Sequence, residues 1–140
     1  MVRRATMQDK EITARLMRAL WPDHSLEDMR KEAEGLLDDG QAFIALYEDQ
    51  AFAQCSLRHD YVEGTTTSPV GYLEGIYTAP GIRGQGVARK LLEACMDWAR
   101  DQGCREFASD CELGNDDSLA FHLAAGFTEA NRIVCFTRTL

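Results

Sequence analysis

Apolar positions along the chain keep two different periods, and the switches between them mark the elements. "MVRRA" reads as a short first strand. Ile12, Leu16, Ala19 and Leu20 then recur at helical spacing, behind a Thr6–Asp9 pair with the form of a capping box. Trp21-Pro22 closes that helix. Ser25 and Asp28 open a second one, through Leu36-Leu37, and Gly40 stops it. "QAFIALY" and "AFAQCSLRH" flank Glu48-Asp49-Gln50 and predict an antiparallel hairpin. A polar loop, "DYVEGTTTS", leads to another strand, "PVGYLEGIYT". Val87, Leu91, Cys95 and Trp98 line one face of the next helix, with Ala88, Leu92 and Ala99 beside them, and Gly103 ends it. "CREFASD" predicts a strand. Asn115 or Asp116 caps a helix that reaches Ala125 and stops at Gly126. "TEANRIVCFTRTL" predicts the last strand or strands, and Trp98, Phe107 and Phe136 read as core. The order is strand, helix, helix, three strands, helix, strand, helix, strand. That predicts one mixed α/β (α+β) domain over residues 1–140, with about four helices on a mostly antiparallel sheet.

The chemistry is most concentrated where the sixth predicted element turns into the seventh. The turn reads Gly81-Ile82-Arg83-Gly84-Gln85-Gly86-Val87-Ala88. Glycines let successive backbone N–H groups converge on an anion. The helix that follows adds unpaired N–H donors and a partial positive charge. Arg83, Arg89 and Lys90 can add full charges. The pattern predicts a phosphate or pyrophosphate ligand. A Walker-type loop would need Lys and Ser/Thr after the last glycine, where Val87 and Ala88 stand. A dinucleotide fingerprint would need a third glycine at Arg89, and an opening strand-helix-strand unit that is absent here.

Composition narrows the partner. The 140 residues hold 15 Lys+Arg against 23 Asp+Glu, a formal charge of -8. That argues against a general nucleic-acid surface and permits a cationic substrate. Cys55, Cys95, Cys104, Cys111 and Cys135 are odd in number with no C-x-x-C spacing, which fits reduced cysteines in a cytoplasmic protein. No apolar run approaches a membrane span, and "MVRRATMQDKEITARLM" lacks the apolar core of a signal peptide.

Arg83-x-x-Gly86-x-Ala88 matches the acyl-CoA signature of the GNAT acetyltransferases, Gln/Arg-x-x-Gly-x-Gly/Ala. "NDDSLAFHLAAGF", Asn115 to Phe127, resembles that family's second motif. "SLRHDYVEG", "YLEGIYTAPGIRGQGVA" and "CREFASD" are similar to the aminoglycoside 6'-N-acetyltransferases within it. The resemblance spans nearly the whole chain. It implies acetyl-CoA as co-substrate, no metal, an aminoglycoside as acceptor, and a homodimer paired through C-terminal strands. It implies a sheet whose fourth and fifth strands splay at a bulge over Gly75-Ile76-Tyr77. The amides of Ile76 and Thr78, either side of Tyr77, would then pair with the pantetheine arm. Those of Gly84, Gln85, Gly86, Val87, Ala88 and Arg89 would hold the pyrophosphate, and Asn115 would bond the pantetheine further along.

The resemblance also assigns an acceptor site to Trp21, Tyr61, Glu74 and Asp110. A polycationic sugar needs carboxylates and an apolar platform, and these supply both. An amine that arrives protonated must lose a proton before it attacks. Glu74 is the candidate base, or else a cation contact alone; partial burial would raise its pKa. His122 stands where many family members carry a tyrosine acid, so it is either a proton donor to the thiolate or a packing residue. Asp60, Glu63, Glu112 and Glu129 could extend the acidic surface. Asn131 replaces a carboxylate found in some relatives. Two other readings stay open: acetylation of a polyamine or protein N-terminus, and a non-catalytic acyl-CoA sensor.

Overall fold

In the hairpin of β2 (Ala42–Tyr47) and β3 (Ala51–Arg58), successive residues point to opposite faces, and both faces are covered. Phe43, Ala45, Ala51, Ala53 and Cys55 face one way; Ile44, Leu46 and Phe52 face the other. That is why the strands read as continuous apolar runs instead of an alternation. The computed structural model describes residues 1–140. β1 (Val2–Arg4) adds antiparallel to β2, and β4 (Val70–Thr78) adds antiparallel to β3. β5 (Phe107–Ser109) joins β4 in parallel, completing a five-stranded sheet in chain order.

Helices α1 (Lys10–Leu20) and α2 (Leu26–Leu37) cover one face of this sheet, with Ala14, Leu16, Met17, Met29 and Ala33 packed on Phe52 and its neighbours. Helix α3 (Val87–Asp101) covers the other, where Leu91, Leu92, Cys95 and Trp98 meet Phe43, Cys55 and Leu73. Helix α4 (Asp116–Ala124) packs beside it through Phe121. The predicted caps form. Ser25 Oγ accepts from the Asp28 amide at 3.0 Å, and Asn115 Oδ1 from the Ser118 amide at 3.2 Å. The Asp9 carboxylate accepts from the Thr6 amide at 2.8 Å and takes a two-pronged bond from Arg3 at 2.7 and 2.8 Å. No helix is long and apolar enough to cross a membrane. Cys55, Cys95 and Cys104 are buried, Cys111 and Cys135 exposed, and all five are free thiols.

Three expectations need correction. The strand expected over 104–110 is only Phe107–Ser109, because its ladder to β4 stops at the Leu73–Ser109 pair. The bulge lies at Glu74, one residue before Gly75: Cys55 pairs with Leu73 and Gln54 with Gly75, leaving Glu74 without an opposite residue. The segment 128–140 forms no strand, since the three residues of β5 give it too short an edge to pair with. Phe136, expected in the core, is 89% exposed as a result, and Ile133 and Val134 are exposed with it.

Candidate active site

The bulge in β4 sets the site. By breaking the alternation it turns two consecutive residues, Glu74 and Gly75, towards the α1/α2 face. Gly75 is glycine because the Trp21 indole occupies the place of its side chain: a Cβ there would stand 2.7 Å from two ring carbons and 3.0 Å from Leu20. Trp21 also packs edge-on to Phe52, with centroids 6.1 Å apart. The half-buried indole is thus held against Gly75, the residue that follows Glu74.

Glu74 is the centre of a polar network that local sequence did not reveal. Ser56 Oγ donates to it at 2.6 Å, and Arg58 donates at 2.9 and 3.1 Å. The Arg58 guanidinium lies over the Tyr72 ring, 3.5 Å from its centroid. The Tyr72 hydroxyl donates to Asp110. Burial, then the bond to Asp110, push the Tyr72 phenol well above its ordinary range, so it stays protonated and remains a donor. Glu74 in β4 and Asp110, just past the end of β5, are therefore joined through Arg58 and Tyr72. Ser56, Arg58 and Tyr72 are not among the residues expected from the sequence. A signal was present: Gln54, Ser56 and Arg58 are polar at period two in a strand whose other face is Ala53, Cys55 and Leu57.

A free strand edge adjoins this network. The Ala79 amide donates to Gln50 O at 2.8 Å, so alternation aims the Gly75 and Tyr77 amides at β3 as well. The Ile76 and Thr78 amides point the other way, past the end of the β4–β5 ladder. Beyond that edge Gly84 and Gly86 take φ of +80°, and nothing lies within 4 Å of either missing side chain. No side chain caps the start of α3 at Gly86, which leaves the amides from Val87 through Arg89 available. The predicted cations are already engaged: Arg83 Nε donates to Thr78 O at 2.9 Å, and Arg89 donates to Ala124 O at 2.8 Å at the end of α4. Lys90 is exposed. An open strand edge followed by an uncapped, glycine-lined helix start fits an extended amide-bearing arm ending in a pyrophosphate.

Between edge and network sits His122. Its Nδ1 lies 2.7 Å from Ser118 O, a partner that only accepts, so Nδ1 carries a proton. Its Nε2 lies 2.8 Å from Ser109 Oγ, and that hydroxyl is 3.4 Å from Leu73 O, where β4 and β5 part. Tyr61 is 76% exposed on the 59–69 loop, its hydroxyl accepting from the Gly64 amide at 3.4 Å. Asn131 donates to Glu63 at 2.8 Å, and Glu129 pairs with Arg132. No three His, Cys, Asp or Glu side chains gather as a metal site would require.

The acetyltransferase (GNAT) family model matches residues 7–127. The chain belongs to the GNAT acetyltransferase family. It is an acetyl-CoA-dependent N-acetyltransferase, and the strand edge and helix start fit that co-substrate. It is 43% identical, over 99% of its length and 93% of the relative's, to an aminoglycoside N(6')-acetyltransferase type 1 of Stenotrophomonas maltophilia. A protein of the same name from Serratia marcescens is 46% identical over 89% of both chains. Among solved structures, AAC(6')-Iy in complex with the bisubstrate analogue CoA-S-monomethyl-acetylneamine superposes with a TM-score of 0.92 at 35% identity, covering 100% of this chain and 98% of that one.

Proposed function

We propose that this GNAT protein moves the acetyl group of acetyl-CoA onto the 6'-amine of aminoglycoside antibiotics, and so confers resistance. The observation that carries the reading is the linked pair of carboxylates, Glu74 and Asp110, at the end of the β4–β5 ladder, with the Trp21 indole packed on Gly75, the residue after Glu74. The relatives' names and the near-complete coverage support it. In the reaction the ammonium of the drug docks on Glu74 and Asp110, with Trp21 and Tyr61 flanking its sugar. Glu74 takes the proton, directly or through water. The free amine attacks the thioester carbonyl, the C–N bond forms and the C–S bond breaks. The acylated nitrogen loses its remaining extra proton, which reaches the departing thiolate by relay through the Ser109 hydroxyl and His122 Nε2, leaving a neutral amide and the CoA thiol. The Ile76 and Thr78 amides, either side of Tyr77, hold the pantetheine, those of Gly84 to Arg89 the pyrophosphate, and Asn115 the arm between.

Residues 1–140 act as one domain in this reading. A second copy covers the exposed Ile133, Val134 and Phe136, making a homodimer, and five free thiols suit a cytoplasmic location. The test is thiol release from acetyl-CoA with kanamycin, an analogue carrying a 6'-hydroxyl, spermidine and a peptide. Release with kanamycin and none with the hydroxyl analogue is expected. Release with spermidine or peptide alone would overturn the acceptor assignment.

A further inference from the structure

Helix α4 carries two groups assigned to the co-substrate, Asn115 at its N-cap and His122 in its last turn, yet none of its residues is buried. Phe121 rests on the core only in part, so packing alone holds the helix weakly. Its last four carbonyls, which have no partner within the helix, show what fixes it. The amides of Ala125, Phe127 and Gly126 donate to the carbonyls of Phe121, His122 and Leu123, at 2.9, 3.0 and 3.2 Å. Gly126, at φ of +98°, turns the chain away before Ala124 O meets a backbone donor. Arg89 takes that place: its Nη2 donates to Ala124 O at 2.8 Å, across 35 residues of sequence. A guanidinium there also sets a positive charge against the negative end of the helix.

Arg89 stands in the first turn of α3, where its own amide is among those left free at the helix start. One residue therefore presents its backbone to the pyrophosphate position and its side chain to α4. The sequence suggests an anion contact for this cation, and the structure directs the side chain elsewhere. We infer that Arg89 is a positioning residue: its side chain straps α4 to the start of α3, and so holds the His122 ring against Ser109. His122 Nε2 lies 2.8 Å from Ser109 Oγ, and that contact bridges α4 to β5. With the strap cut, α4 keeps its internal bonds, including His122 Nδ1 to Ser118 O at 2.7 Å, but is free to shift on the sheet. The inference deepens the proposed relay, and its effect on turnover rests on that relay.

The experiment records the ring nitrogens of His122 by NMR in the CoA-bound protein, for the wild type, Arg89→Met, Arg89→Lys and Ser109→Ala. The last variant marks where Nε2 resonates once its bond is lost. His122→Phe identifies the signal among the three histidines. Arg89→Met is expected to move Nε2 towards its Ser109→Ala position. Arg89→Lys, which can still donate to Ala124 O, is expected to leave it near the wild type. Calorimetry with CoA should give the same affinity in both Arg89 variants, since the amide at 89 remains. With kanamycin, kcat should fall about tenfold in Arg89→Met while KM for acetyl-CoA holds. An unmoved Nε2 in Arg89→Met, or CoA affinity lost with Nε2 in place, would overturn the strap and return Arg89 to the pyrophosphate. The NMR and calorimetric readings need no acceptor. The relay is read separately from kcat of His122→Phe, and the acceptor assignment from wild-type turnover of kanamycin.

Discussion

Glu74 receives hydrogen bonds from Ser56 and Arg58 before any substrate arrives, so the pair it makes with Arg58 holds the carboxylate in one orientation. If it then takes the proton of the incoming ammonium, Glu74→Gln keeps the shape and loses the base. The expected result is a fall in kcat/KM for kanamycin of about 10²-fold or more, with acetyl-CoA affinity retained, measured by steady-state kinetics and titration. A loss of only a few fold would reduce Glu74 to a contact. Asp9 plays a different part. The bond from Arg3, above all, holds its carboxyl well below the ordinary 3.8, at about 2. A depressed folded-state pKa gives stability that is present above the ordinary value and lost as pH falls towards 2. Arg3 is half exposed, so the contribution at neutral pH is discounted to about 1–2 kcal/mol. Asp9→Asn should lose that much in urea unfolding at pH 7, and the gap to the wild type should close as pH drops below about 4.

At the scale of elements, the β4 bulge is what brings the indole and the carboxylate together. Gly75→Ala places a methyl 2.7 Å from Trp21, and the ring must move. The expected outcome is a stability loss of about 1–3 kcal/mol and a severalfold rise in KM for the drug, read by melting and kinetics. Much of this architecture is legible in sequence. Ser25 and Asn115 cap the helices their neighbours predict, and the run Val87-Leu91-Cys95-Trp98 packs as its spacing requires. Local signals suffice there. The bulge falls one residue earlier than expected because its position depends on register with β3, which no local period records. The contact of Arg58 with Tyr72 depends on the same register, since a guanidinium over a ring is a cross-strand event. The segment 128–140 has strand composition but finds no long edge within its own chain, and composition cannot supply a partner.

At the scale of the molecule, that segment and the charge of -8 point outwards. Ile133, Val134 and Phe136 leave a run of apolar side chains in water, which a second copy would bury. Sedimentation at micromolar concentration should give a dimer, and Phe136→Asp should shift it to monomer; a monomeric wild type would remove the dimer. In the proposed reaction the acidic surface draws a polycation, the open edge beyond Leu73 admits a thioester arm, and the two meet at Glu74. The most direct measurement is the position of the acetyl group on kanamycin after incubation with acetyl-CoA and the purified protein, read by two-dimensional NMR of the product. A single N-acetyl at the 6' position, with one CoA released per drug, is the expected result. An acetyl on any other amine, or an unmodified drug in a preparation that acetylates spermidine or peptide, would contradict it.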